Sequence, residues 1–140
     1  MSERKLNRAM NNPYQSYQQN SVNTASPGEL TLMLYNGCLK FIMLGKKAIE
    51  AGNIEVKNTN IIKAQNIIRE LMVTLNMDAD VSKDMMSLYD FMNRRLIEAN
   101  MKNDVSALEE VEGLVTEFRN TWKEVIQINR KKQFTQSGQV

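Results

Sequence analysis

The sequence contains no histidine, so the commonest general base and the commonest metal ligand are both missing. A histidine phosphotransfer bundle is therefore excluded. A di-iron bundle of the usual type needs Glu-x-x-His motifs and is excluded as well. Gly-rich phosphate loops, zinc-ligand spacings and nucleophile elbows are also missing from the sequence. We therefore expect no catalytic residue, no cofactor and no metal ion, and we predict that the protein is not an enzyme.

Cysteine, long apolar runs and net charge are scarce as well. Cys38 is the single cysteine, so no internal disulfide can form, and its place on a helical stripe predicts a buried thiol in a reducing cytoplasm. No apolar run approaches the roughly 18 residues of a membrane span. The N-terminus lacks the apolar stretch of a secretory signal, and a net charge of +2 is too small to indicate nucleic-acid binding. We expect a cytoplasmic protein with no membrane insertion.

A helix start is the clearest local signal in the chain. Ser26 is a favourable N-cap, and Pro27 follows at the first helical position, where its missing N–H costs nothing. Glu29 completes a capping-box pattern, and Leu30 opens an apolar stripe immediately afterwards. These residues predict a sharp boundary between a polar N-terminal segment and a helical domain.

Four amphipathic helices follow this boundary, because apolar residues recur at alternating four- and three-residue steps. Gly52-Asn53 and Asn103-Asp104 supply turns between them. The pattern predicts an all-α, antiparallel four-helix bundle with an extended N-terminal segment. The predicted helices span about 27–51, 54–77, 81–100 and 105–130, and the predicted organisation is an N-terminal segment (1–25), the bundle (26–130) and a disordered C-terminal tail (131–140).

The second and third helices carry more apolar residues than one bundle seam requires. Ile62, Ile67 and Met72 lie off the main stripe of the second helix, and Met86 and Tyr89 lie off that of the third. A wide core face explains such residues, since three apolar residues per heptad are normal in globular bundles. A hydrophobic groove that receives a helix of another chain is the alternative, and methionine suits such adaptable surfaces.

The polar N-terminal segment is the least ordinary part of the sequence. Its composition predicts disorder, yet Tyr14, Tyr17 and Val22 are apolar enough to lie in a groove. A plain disordered leader is one interpretation. We favour a segment that docks on the bundle and is displaced or reused when a partner arrives.

Several motifs in a fixed order resemble the bacterial flagellin export chaperone family FliS. The resemblance covers roughly residues 13–127. Its motifs are Tyr14-x-x-Tyr17-x-Gln19-x-Ser21-Val22, Ala25-Ser26-Pro27-Gly28-Glu29-Leu30, Met33-Leu34-Tyr35-Asn36-Gly37, Lys63-Ala64-Gln65-Asn66-Ile67-Ile68, Leu88-Tyr89-Asp90-Phe91-Met92-Asn93-Arg94-Arg95-Leu96, Ala99-Asn100, Asn103-Asp104, Glu110-Val111-Glu112-Gly113-Leu114 and Trp122-Lys123.

The resemblance implies a cytoplasmic chaperone built as an antiparallel four-helix bundle. Its client would be the C-terminal segment of newly made flagellin, held unpolymerised and delivered to the flagellar type III export apparatus. The resemblance also implies contact with the export gate component FlhA when loaded, and in some bacteria work beside the assembly factor FliW. The alternative function is a non-catalytic bundle adaptor or regulator that dimerises or binds another protein. The predicted flagellin-binding residues are Tyr14, Tyr17, Val22, Ile62, Ile67, Met72, Met86 and Tyr89.

Overall fold

The computed structural model describes the backbone of residues 27–138 and the side chains of residues 28–133. It contains four helices, numbered along the chain: α1 (Pro27–Glu50), α2 (Ile54–Thr74), α3 (Asp80–Lys102) and α4 (Val105–Gly138). No strand occurs in this part of the chain. The predicted all-α fold is confirmed. The predicted N-terminal segment, residues 1–25, lies outside the described residues.

Each helix runs antiparallel to two neighbours. α1 packs on α2 and α4, and α3 packs on the same two helices, so the four helices form a square. Late in α4, the Trp122 indole Nε1 donates to the Gly28 carbonyl oxygen at the start of α1, at 2.7 Å. Late in α3, Arg95 donates to Glu110 early in α4, at 2.8 Å. The predicted antiparallel four-helix bundle is therefore confirmed.

The turns form where the sequence places them. Gly52 has a φ of 71°, the left-handed conformation that glycine adopts without steric cost at a helix end. The Asn53 side chain then accepts a hydrogen bond from the Val56 N–H at 3.1 Å and caps α2. At the α3–α4 turn, Asn103 has a φ of 53°, and Asp104 Oδ1 accepts from the Ala107 N–H at 3.2 Å.

A buried lysine ties the start of α2 to this second turn. Lys57 is 4% exposed. Its Nζ donates to the Asn100 carbonyl oxygen at 2.7 Å and to Asn103 Oδ1 at 2.5 Å. The ammonium therefore lies at the carboxyl end of α3, where unpaired carbonyls and the helix dipole favour a positive charge.

Two helix ends differ from the sequence prediction. α2 ends at Thr74 rather than Met77, because Leu75 turns to an extended conformation and packs against the core. α4 continues to Gly138 instead of ending near Arg130. Lysine and glutamine within residues 131–138 are good helix formers and no proline interrupts them, so the helix propagates until a glycine. The predicted division of the chain into three parts stays a prediction.

Close helix contact on one side of the core depends on two glycines of α1. A Cβ at Gly37 would lie 3.3 Å from Cδ1 of Ile67, and one at Gly45 would lie 3.1 Å from Cγ1 of Ile61. Both isoleucines are fully buried. The glycines therefore let α1 and α2 approach closely, which explains why α1 tolerates residues that weaken a helix.

Candidate partner-binding surface

Two of the predicted partner contacts belong instead to the core. Ile67 is 0% exposed and packs against Gly37, and Tyr89 is 2% exposed. The core face of each helix is wider than a single stripe and takes in both side chains, and their role in binding a partner stays a prediction. Ile67 lies against α1, and Tyr89 faces inward among the helices.

Tyr89 forms part of an aromatic cluster that crosses the core. Its hydroxyl lies 2.6 Å from the hydroxyl of Tyr35 on α1. The Phe118 ring of α4 meets both tyrosine rings edge-on, with centroids 6.2 Å from Tyr35 and 5.8 Å from Tyr89. Each hydroxyl satisfies the other in a buried setting, as buried polar groups require. Burial raises the pKa of both phenols.

We expect the bundle to lose stability in alkali, beginning with Cys38. Burial raises the pKa of the Cys38 thiol from 9.0 to about 12. Below the pKa of the thiol in the unfolded chain, the thiol is neutral in both the folded and the unfolded state. Its contribution to the free energy of unfolding is then fully present. When the pH rises above that unfolded-state pKa, the thiol ionises only in the unfolded chain. The free energy of unfolding then falls by at most about 1.4 kcal/mol per pH unit for one group, until the pH reaches the folded-state pKa.

Urea unfolding across this pH range measures the effect. The urea concentration at the unfolding midpoint should decrease as the pH is raised from about 9 to about 10. In the Cys38→Ala variant, the midpoint should depend less steeply on pH over the same range. Tyr35 and Tyr89 add to the loss of stability at higher pH, since their ordinary pKa is 10.0. If the urea midpoint fell equally steeply with pH in the unaltered chain and in Cys38→Ala below about pH 10, the thiol would ionise freely in the folded chain.

The other described residues of the predicted groove lie on α2 and α3, which pack against each other. Ile62 is 47% exposed. Met72 is half-buried against the core, and Met86 of α3 is half-buried. On α3, Ile97 shares a face with Met86 by helical spacing and is 36% exposed. We define Ile62, Met72, Met86 and Ile97 as the α2–α3 surface.

A crevice at one end of the bundle was not predicted from the sequence. It has a volume of about 370 Å³ and is open at the end where α1 begins. Its apolar lining comes from α1, α3, α4 and the residue that follows α2: Leu30, Leu34, Tyr35, Leu75, Val81, Met85, Tyr89 and Trp122. Most of these residues belong to the regular stripes, so nothing in their spacing distinguishes them from closed core. The opening arises because α2 ends early and α3 begins only at Asp80.

Trp122 forms one edge of this crevice. It is half-buried and packs against the core from its rim. Its hydrogen bond to Gly28 fixes the first turn of α1. One turn beyond Ile126 on the same helix, Arg130 pairs with Glu29. The start of α1 is therefore held by α4 beside the crevice.

The described part of the chain offers little for other chemistry. Within residues 27–138, no group of three or more acidic or cysteine residues could hold a metal ion. None of the helices among these residues is long and apolar enough to cross a membrane. Apolar features stand out among these residues instead, and they include the α2–α3 surface and the crevice. A hydrophobic groove on a helical bundle is one of the modes by which proteins bind a helix of another chain.

Comparisons with known proteins identify the family. The family described as "Flagellar protein FliS" matches residues 10–129. The chain is 60% identical over 130 residues to the flagellar secretion chaperone FliS of Bacillus subtilis, covering 93% of this chain and 98% of that one. It is 35% identical over 122 residues to the flagellar secretion chaperone FliS of Salmonella typhimurium, covering 85% and 88% respectively. The chain belongs to the FliS family.

A solved structure supports the fold independently. The crystal structure of a bacterial flagellar chaperone matches 82% of this chain and 95% of its own, with a TM-score of 0.69. The two sequences are 18% identical in that alignment, so the likeness bears on the fold alone.

Proposed function

We propose that this protein is a cytoplasmic flagellar secretion chaperone that binds the C-terminal region of newly made flagellin. Membership in the FliS family supports the class of function. The observation that carries the binding role is the apolar α2–α3 surface, where Ile62 is 47% exposed although a bundle core needs no such residue. Isolated exposed apolar residues are ordinary, but two exposed and two half-buried apolar side chains on neighbouring helices fit a helix-binding groove.

The physical demand on such a chaperone matches the features of this bundle. A filament subunit carries apolar helices that pair with its neighbours, and before export those helices would pair prematurely. The apolar surface can cover them while the client folds on it. The entropy cost of ordering the client weakens the complex and keeps release possible. This cycle needs no nucleotide.

Suppression of flagellin polymerisation tests this function directly. Light scattering of monomeric flagellin should stay low when one equivalent of the chaperone is present. Flagellin without its C-terminal region should not bind to the immobilised chaperone. Unchanged polymerisation, together with a stable chaperone dimer in solution, would favour the alternative function of a bundle adaptor.

Delivery is the second part of the proposal. The loaded chaperone would contact the export gate component FlhA of the flagellar type III apparatus, and in some bacteria it would work beside the assembly factor FliW. A loaded complex should bind the soluble part of FlhA more tightly than the empty chaperone does. Equal affinities would remove the delivery step from the proposal.

The N-terminal segment has a place in this proposal. Val22 is five residues before Pro27, a reach of roughly 17 Å in extended chain. It can therefore reach the crevice beside Leu30, and Tyr14 and Tyr17 can reach further along the bundle. We propose that these three residues cover apolar surface in the client-free protein and are displaced or reused when flagellin binds. Their positions lie outside the described residues, so this role stays a prediction.

Deletion of residues 1–22 should expose apolar surface and raise self-association. The fluorescence of an apolar dye and the sedimentation of the variant measure the two effects. The double variant Tyr14→Ala with Tyr17→Ala should behave in the same way, but more weakly. Unchanged dye binding, mass and client affinity would make the segment a plain leader, and a collapse of client affinity would make the tyrosines direct client contacts.

A further inference from the structure

A second groove lies between α3 and α4, on the flank of α3 away from the α2–α3 surface. Leu88 and Phe91 of α3 and Leu114 of α4 supply its apolar lining. The groove is open and has a volume of about 520 Å³. Leu88 is 37% exposed although it lies in line with the core residues of its helix. This groove has no part in the function proposed above.

A glycine in the wall of this groove has no explanation within the described chain. Gly113 lies inside α4, where glycine weakens a helix relative to alanine. A Cβ at Gly113 would meet no described atom within 4 Å, whereas Gly37 and Gly45 each make room for a buried isoleucine. Glycine at a helix surface allows another backbone to approach closely. Gly113 therefore leaves room for a backbone from outside the bundle to approach α4.

The charges beside Gly113 indicate what kind of group this is. Glu109, Gly113 and Glu117 are spaced by four residues, so they lie in one row along α4. Glu110 next to this row is already paired with Arg95. Glu109 and Glu117 have no cationic partner among the side chains of residues 28–133. These two carboxylates stand about 12 Å apart along the helix axis, at 1.5 Å per residue.

We propose that the α3–α4 groove binds an amphipathic helix of a partner protein that carries two basic side chains. Its apolar face lies on Leu88, Phe91 and Leu114, and a small residue crosses at Gly113. Lysine or arginine residues four positions before and after that crossing meet Glu109 and Glu117. A second copy of this chain is a poorer occupant, because a contact between this groove and a different surface of an identical chain is heterologous and gives open assemblies unless its rotation closes a ring.

A pair of synthetic helical peptides tests the charge requirement with the full-length chain. Each has a leucine stripe and a central alanine, flanked four residues away on both sides by lysine in one peptide and glutamate in the other. The lysine peptide should bind roughly tenfold or more tightly than the glutamate peptide, and added salt should weaken it. The double variant Glu109→Lys with Glu117→Lys should reverse this preference. Equal affinities of the two peptides for the unaltered chain would overturn the proposal.

Gly113 provides a test in which stability and binding move in opposite directions. Gly113→Ala should raise the thermal midpoint by about 3–4 °C, because alanine favours the helix and fits the open space. The same change should lower the affinity for the lysine peptide several-fold, and Gly113→Leu should abolish binding of that peptide. Asn36→Ala, at an exposed position of α1, is the matched control: it should also raise the midpoint but leave peptide affinity unchanged.

Three results would contradict a partner helix as the occupant. Gly113→Leu without effect on the lysine peptide would place the peptide elsewhere. Binding that appears only after deletion of residues 1–22 would make the chain's own N-terminal segment the occupant. A dimer of the free chain that Gly113→Leu dissociates would make a second copy the occupant. A flagellin C-terminal peptide should bind Gly113→Leu normally, which separates this proposal from the function of the α2–α3 surface.

Discussion

The Tyr89→Ala variant should unfold at much lower urea, with a loss of about 3–5 kcal/mol in the free energy of unfolding. The side chain is 2% exposed, and its ring packs edge-on against Phe118 with centroids 5.8 Å apart. Truncation would remove this packing and leave a cavity that the surrounding helices can fill only in part. It would also leave the Tyr35 hydroxyl without the partner that lies 2.6 Å away. Far-ultraviolet circular dichroism in urea measures the loss.

Phenylalanine variants separate the hydroxyl pair from the ring packing. Tyr35→Phe and Tyr89→Phe should each cost about 1–3 kcal/mol, because each leaves one buried hydroxyl unsatisfied. The double variant should cost clearly less than the sum, since no hydroxyl then remains without a partner. A cost below about 1 kcal/mol for Tyr89→Ala would instead place the residue at the surface and restore it as a partner contact.

The second large effect concerns client binding. Met86→Glu should weaken the affinity for a flagellin C-terminal peptide by about 100-fold, or roughly 2.7 kcal/mol. Met86 lies in the α2–α3 surface, so a charge there would be covered by the apolar face of the client without a partner. Titration calorimetry on the folded variant measures the change.

Met101→Glu is the matched control because it makes the same substitution on the same helix. Met101 is 77% exposed and lies at the far end of α3, outside the α2–α3 surface. The affinity of the Met101→Glu variant for the flagellin C-terminal peptide should equal that of the unaltered chain. Equal losses from the two variants would point to a general charge effect, and no loss from Met86→Glu would exclude the α2–α3 surface as the client site.

The helix starts and turns could be predicted because their causes are local. Gly52 and Asn53 close α1 and cap α2 through their own backbone and side-chain hydrogen bonds. Asp104 caps α4 in the same way. Such contacts depend on three or four neighbouring residues, which the sequence displays directly. The end of α2 was not predictable in this way, because Leu75 leaves the helix to pack against the core.

The candidate surface was only partly predictable, because helical period gives the direction of a side chain but not the width of the core. Ile67 and Ile62 both lie off the main stripe of α2, yet the first is 0% and the second 47% exposed. The difference comes from α1, whose Gly37 leaves room for Ile67. The bundle-end crevice likewise depends on where neighbouring helices stop, so tertiary packing determines it.

The buried lysine and the inter-helix ion pairs also depend on tertiary packing, so the sequence alone does not predict them. Lys57 looks like an ordinary exposed residue in the sequence, but it is 4% exposed and bonds the α3–α4 turn. Glu110 pairs with Arg95 of α3, and Glu112 pairs with Lys46 of α1. A spacing rule identifies pairs within one helix, but partners on another helix depend on the register between helices.

Calorimetric titration of the full-length chain with a flagellin C-terminal peptide, followed by circular dichroism of the mixture, tests the central claim most directly. We predict one-to-one binding, a gain of helix in the peptide and a negative heat-capacity change from apolar burial. The unaltered chain should bind the peptide more tightly than tens of micromolar, a limit of about −6 kcal/mol. No binding at that concentration, or binding without any gain of helix, would contradict a chaperone that folds the C-terminal region of flagellin on its surface.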